Sequence, residues 1–303
     1  MKGSASKIQI TTFNDLFQGD GTADESGERV QEIALSELFT FKNHPFQVRD
    51  DEEMQKTVES IRLYGVLVPG IARPRAEGGY ELIAGHRRKH GSELAGKTTM
   101  PVLVRELDDD EATIIMVDSN IQRENVLPSE KAWAYKMKVD ALKRQGARND
   151  LTSARAVPKL QAREQVAQDA GEKSGMMVTR YISLTLLIPP LLALVDETKF
   201  SVSAAADYIS PLSETEQQWL YAKMTLLSCT PTASQLNRLK KYSQDGELNE
   251  AVVDAILTEE RPMPLKVTIK KDKLAQYFPN SYTAEQMKEV ILSLLETWKL
   301  QSV

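Results

Sequence analysis

Between residues 30 and 105 the hydrophobic positions change period every few residues. Residues 30–34 are an apolar-polar run that predicts a short strand. Asp50 is expected to start a helix, with Glu53 three residues on completing a capping box. Met54, Val58, Ile61 and Leu63 then follow approximate helical spacing, and Gly65 offers a C-terminal stop. Residues 71–73 and 80–84 predict two strands around a turn at Glu77-Gly78-Gly79. Gly85 breaks the second strand, residues 87–95 read as a helix closed by Gly96, and residues 100–105 read as another strand. The pattern is that of a small α+β domain.

From Asp109 to about residue 265 no strand pattern is convincing. Residues 109–119 and 130–145 have helical periodicity, the second entered through Pro128-Ser129 with Ser129 as N-cap. Residues 146–160 read as a polar, basic loop, and four to six short helices follow, one opened by the capping box Ser213/Glu216. Residues 259–264 place two prolines among charges and read as a linker. A strand at 265–269 and an amphipathic helix at 283–300 are expected beyond it, with Met287, Val290, Ile291, Leu294, Leu295 and Trp298 on one face. A tail this short can scarcely build its own core, so pairing with another chain is favoured over local closure. The expected order is a polar arm (1–29), an α+β domain (30–127), an all-α helix-turn-helix domain (128–258) and a C-terminal dimerisation or docking segment (265–303).

Composition changes this picture in two places. The 303 residues carry a net charge of −5, which argues against a nucleic-acid partner. The charge is segregated, however. Residues 131–190 hold eleven Lys/Arg against five Asp/Glu, a local +6 that leaves −11 to the remainder. A basic middle between acidic ends suits a polyanion site; a solvated helical surface is the plain alternative. The one cysteine, Cys229, rules out an intrachain disulfide and a cysteine-based zinc site, in keeping with a reducing cytosol. The longest apolar run, residues 184–195, is broken by Pro189 and Pro190 and is too short to span a bilayer, and the N-terminus lacks the apolar core of a secretory signal.

Three segments carry candidate chemistry. In the first, a strand runs through Gly85 into a helix start bearing His86, Arg87 and Arg88. Free amides and the positive dipole end favour an anion there, and arginine forks suit phosphate oxygens; a surface turn with solvated arginines is the rival reading. The second, Ser119-Asn120-Ile121-Gln122-Arg123-Glu124, is rich in groups that bind phosphate, metal-bound water or base edges, and equally in capping residues. The third, residues 161–186, scans as helix–turn–helix. Val166 and Ala167 face inward from its first helix, Gly171 makes the turn, and Val178, Ile182 and Leu186 line the buried face of the second helix. Arg163, Gln165, Lys173, Ser174, Gly175, Met177, Thr179 and Arg180 are then the candidate DNA contacts, against the alternative of an ordinary helical hairpin. His44, His86 and His90 lack the spacing of a zinc site, and the run Asp108-Asp109-Asp110-Glu111 stands where a helix start would favour acids anyway. No nucleophile motif is present.

These segments, in this order, resemble the ParB family of plasmid and chromosome partition proteins over roughly residues 30–200. The family's Gly-Glu-Arg-Arg signature appears as Leu82-Ile83-Ala84-Gly85-His86-Arg87-Arg88, ending in Glu93-Leu94-Ala95-Gly96; its Glu-Asn-x-Gln-Arg signature appears as Ser119-Asn120-Ile121-Gln122-Arg123. Residues 43–49 and 64–69 also look like the family pattern, and residues 120–132 look like ParB-like proteins of mobile genetic elements. The resemblance implies CTP with Mg²⁺ as cofactors. Gly85, His86, Arg87 and Arg88 would lie at the triphosphate, Asn120 at the metal, and Gln122 and Arg123 close by. It implies a homodimeric, CTP-gated clamp on a palindromic double-stranded DNA site, a ParA-type ATPase as partner, no membrane association, and a cytoplasmic, nucleoid-associated location.

Two departures stand out. His86 replaces the signature glutamate, and Ser119 replaces the acidic residue before Asn120. A serine hydroxyl is a much poorer base and metal ligand than a carboxylate, so CTP hydrolysis is expected to be weak or absent. The rival readings are a transcriptional regulator built on the same module, a ParB-like nuclease and a structural helical adaptor.

Overall fold

The computed structural model describes residues 29–121, 123, 125–150, 159–259, 274, 276–279 and 281–301. The N-terminal arm, Gln122, most of the expected 146–160 loop and the expected strand at 265–269 lie outside the described residues. Five strands form one mixed sheet: β1 (Arg29–Ala34), β2 (Leu38–Thr40), β3 (Gly70–Pro74), β4 (Tyr80–Ala84) and β5 (Thr99–Val104). Their order is β1-β5-β3-β4-β2. β3 and β4 are the expected antiparallel hairpin, its turn closed by a bond from Arg75 N to Gly79 O of 3.0 Å. Gly79 has φ 71°, and a Cβ there would lie 2.7 Å from the Phe39 ring, so the turn requires glycine. β2 was not expected. Three residues are too few for alternation to show, and the strand exists because its backbone pairs in parallel with β4.

Helix α1 (Glu52–Tyr64) begins one residue later than expected. Its N-cap is Asp51, whose carboxylate accepts Met54 N at 2.8 Å; Asp50 instead meets His90 Nε2 at 2.6 Å. Met54, Val58 and Ile61 are buried, but Leu63 is exposed, because helical geometry carries it off that stripe. Helix α2 (His86–Leu94) follows β4 directly, and α3 (Asp109–Ile121) follows β5. The acidic run is the cap of α3. Asp108 Oδ1 accepts the amides of Asp110 and Glu111, and the Glu111 carboxylate accepts Asp108 N.

Helix α4 (Pro128–Asp150) continues through 146–150, where a loop was expected. Ser129 is not its cap. Glu130 Oε2 reaches back to Leu127 N at 3.0 Å, while Ser129 bonds Asp196 through both its amide and its hydroxyl. Next come α5 (Lys159–Asp169), α6 (Gly175–Ser183), α7 (Pro189–Asp196) and the short α8 (Val202–Ala204), which passes into a π-turn at Ala205–Ile209. Helices α9 (Glu214–Leu226), α10 (Ala233–Gln244) and α11 (Glu250–Thr258) complete this part. The capping box Ser213/Glu216 is present as expected.

Three cores organise residues up to 257. One lies on the sheet around Leu82, Met100 and Val102. One is built by Leu184, Leu191, Ile209, Leu220, Leu236 and Val253. Between them, Ile83 of β4 packs in one cluster with Met116 of α3, Tyr135 of α4, Val166 of α5 and Val178 of α6. The chain divides into residues 1–257 and 258–303. In the second unit, α12 (Ala284–Gln301) starts at a Thr283/Gln286 capping pair and exposes Leu294, Leu295 and Trp298.

Candidate functional site

β4 ends at Gly85, which turns the chain into α2 with φ 110°. A Cβ at Gly85 would lie 3.2 Å from Gly70 Cα on β3, so only glycine fits this bend without displacing the neighbouring strand. The bend forms one wall of a cavity of about 460 Å³. Gly85, His86, Arg87 and Arg88 line it from one side, and Ser119, Asn120 and Arg123 from the end of α3. Two segments more than thirty residues apart thus share one site.

Each side chain is held differently. Arg87 makes loose ion pairs to Asp51 at 3.3 Å and Glu53 at 3.7 Å. Arg88 is committed to backbone, donating to the carbonyls of Val68 and Pro69 at 2.5 and 2.6 Å, and burial lowers its pKa. Asn120 lies in the last turn of α3 rather than between helices, and its amide nitrogen donates to Met116 O at 2.8 Å. Arg123 donates to Asn120 Oδ1 at 3.4 Å; burial and then the nearby Arg87 charge lower its pKa. The His86 ring stacks on His44 at 3.9 Å between centroids, tilted by 42°. Neither nitrogen of His86 has a hydrogen-bond partner among the described residues, nor has His44 Nε2. Burial, then the charges of His44, Lys89 and Arg88, push the His86 pKa down to about 3, and burial lowers that of His44. Both rings are neutral at pH 7.

Sequence reasoning missed several lining residues: Gln47, Arg49, Asp51, Glu53, Asn125 and Glu130. Gln47 and Arg49 fall within the 43–49 stretch that resembles the family pattern, but nothing local marks them as site residues, because α1 and its preceding loop reach the cavity only through packing. Glu130 Oε1 accepts Gln47 N at 2.8 Å and so ties α4 to this loop.

The second predicted site is a helix–turn–helix of α5 and α6. Gly171 has φ 67°, and Glu172 N closes the turn on Ala167 O at 2.8 Å. Val166, Ala167 and Val178 are buried, and Ile182 is half-buried. Leu186, expected on that face, is exposed because the chain leaves α6 for a 3-10 turn at Leu184. Lys173 is exposed. Ser174 is the N-cap of α6, with no bond from its hydroxyl to the helix. Several of the candidate contacts have internal roles. Gly175 is buried, and a Cβ on it would lie 3.1 Å from Glu164 N, so it lets α6 approach α5. Thr179 donates to Gly175 O, and Arg180 clasps Asp207 with two bonds of 3.1 and 2.9 Å. Gln165 bonds Asp169, Met177 is half-buried, and Arg163 Nε is buried without a partner. Met176, not predicted, is the exposed apolar side chain of the first turn of α6. The basic middle is also partly spent internally: Lys131 pairs with Glu172, Lys143 with Asp140 and Arg144 with Asp110.

Among the described residues, no helix is long and apolar enough to cross a membrane. Residues 20–121 match the ParB N-terminal domain family. The probable chromosome 1-partitioning protein ParB of Deinococcus radiodurans is 33% identical over 199 residues, which cover 66% of this chain and 62% of that protein. The chain therefore spans about three fifths of that relative's length. Two solved structures of C-terminally truncated ParB from Caulobacter crescentus are similar. The one complexed to the centromeric parS site is 22% identical, covers 70% of this chain and 98% of its own, and has a TM-score of 0.41. The one complexed with CTP-gamma-S is 25% identical, covers 59% and 91%, and has a TM-score of 0.30. On the domain match, residues 20–121 are a ParB N-terminal domain, and the chain is similar to ParB-type partition proteins.

Proposed function

We propose that this chain is a sequence-specific DNA-binding partition protein whose hold on DNA is gated by CTP. The observation that carries this reading is the cavity at Gly85. It gathers four arginines, the amides at the start of α2 and the end of α3 around a space of about 460 Å³. Positive side chains beside a free helix N-terminus are a phosphate environment. The Deinococcus relative is named for chromosome partitioning, which supports that process. The turn and inward face of α5–α6 support duplex binding through Lys173, Ser174 and Met176 at the head of α6. A palindromic site is read by two copies, paired through the apolar face of α12. A ParA-type ATPase is the expected partner, and the nucleoid the expected location. Ser119 Oγ donates to Met116 O and carries no negative charge, so CTP is bound with little or no hydrolysis. Asn120, which the family pattern assigns to Mg²⁺, has its amide taken up by Met116 O and the Arg123 guanidinium, a donor set that does not fit a hard cation.

The test is to map bound DNA across the host genome with and without the CTP-binding residue Arg87. Wild type should give a discrete peak flanked by spreading signal. Arg87→Ala should keep the peak and lose the spreading, while Lys173→Ala should lose the peak and still bind CTP in solution. A peak confined to the promoter of the protein's own gene would favour the transcriptional reading, and nicking of plasmid in Mn²⁺ the nuclease one.

A further inference from the structure

We propose that this chain holds its nucleoside triphosphate without a divalent cation, the phosphate charge being met by arginine and neutral imidazole. The inference rests on the cavity being a nucleotide site. A hard cation such as Mg²⁺ demands an octahedron of oxygens and is usually brought in by a free carboxylate. Two of the three carboxylates of the cavity are held by backbone amides. Asp51 accepts Met54 N at 2.8 Å and faces Arg87 at 3.3 Å. Glu130 has both oxygens on backbone amides, those of Gln47 and Leu127. Glu53 is exposed at the rim with Arg87 at 3.7 Å. Asp118, next to Ser119, is turned away and bonds the buried Lys138 at 2.5 Å. Among the described residues, no group of three or more His, Cys, Asp or Glu is placed to hold a metal.

At the head of α2 stands His86 instead of an acid. Its ring is neutral, and both nitrogens lack a partner, as does Nε2 of the stacked His44. Buried polar atoms in a native protein are normally satisfied, so the orphans of His86, which lines the cavity, and of the His44 ring stacked on it mark groups that wait for a partner. A neutral imidazole has one N–H to give, and a phosphate oxygen is an acceptor. A dication in the same place would meet Arg87, Arg88 and Arg123, whereas a fully ionised triphosphate is attracted by all three. Arg49 also lines the cavity and makes no ion pair among the described residues, and the long pairs of Arg87 are readily exchanged for phosphate oxygens.

The test is the affinity of the full chain for CTP, measured by calorimetry in chelator and in millimolar Mg²⁺, Mn²⁺ or Zn²⁺. Binding in chelator should be as tight as with any of the ions, within about threefold. His86→Glu should reverse this. Its carboxylate repels the triphosphate, so the variant should bind more than about tenfold more weakly in chelator and recover with Mg²⁺. Wild-type binding that needs any divalent ion overturns the proposal while leaving the nucleotide site standing, as does a His86→Glu variant that binds equally well in chelator. No CTP binding under any condition overturns the nucleotide site itself and the proposal with it.

Discussion

At the scale of single residues, Gly85 and the His44/His86 stack matter most. Gly85 combines a left-handed φ of 110° with a Cβ position 3.2 Å from the β3 backbone. Gly85→Ala should therefore cost about 1–3 kcal/mol of stability, through backbone strain and a shifted strand. It should also weaken CTP binding more than Arg49→Ala does; a thermal melt and a titration read the two effects. The histidines set a pH dependence. The folded pKa of His86 is near 3, well below the ordinary value of 6.5, and that of His44 is lowered too. Below pH 6.5 the unfolded chain takes up protons that the folded chain refuses. Stability from His86 is fully present above pH 6.5 and drains away as pH falls towards 3, by up to about 1.4 kcal/mol per pH unit, and His44 acts in the same direction. Urea unfolding of wild type between pH 7 and 4 should show that slope, and His86→Gln should flatten it.

At the scale of elements, α4 is the strut. Lys138, 2% exposed, bonds Asp118 of α3 and Asp169 of α5, each at 2.5 Å. Seven residues earlier on the same helix, Lys131 and, with it, Tyr135 bond Glu172 in the helix–turn–helix turn. The two bonding sets fix α5 and its turn against α4, and α4 against α3, whose last turn holds Asn120. Lys138→Met leaves two carboxylates without their cation. Both are partly exposed, which moderates the cost to about 1–3 kcal/mol, lower than for a fully buried pair. The loss should shrink when Asp118→Asn and Asp169→Asn are added, and denaturant melts of the single and triple variants measure it. Helix positions and the β3–β4 hairpin were legible in the sequence because capping boxes, glycine stops and period changes are local. Their edges moved where a distant group decided: Asp196 took Ser129 away from capping, and the turn at Leu184 carried Leu186 into solvent.

At the scale of the whole molecule, residues 258–303 form a unit separate from 1–257, and its helix α12 exposes Leu294, Leu295 and Trp298. Truncation after Pro264 should leave the melting of the first unit unchanged and halve the mass found by light scattering; an unchanged mass would remove α12 as the pairing element. The sequence by itself determined the class of each half, the hairpin, the two helices and glycine turn of 159–183 and two of the segments that meet at the cavity, because each depends on periodicity, turn chemistry or short motifs within a few residues. The tertiary structure decided which cations are free. Arg88, Arg180, Lys131 and Lys138 look alike along the chain, yet each is bound to a partner at least nineteen residues away. It also decided that Arg49, Glu53 and Glu130 share the cavity with Gly85, and that His86 sits neutral against His44. Charge and burial belong to neighbours in space, and only the folded chain sets those.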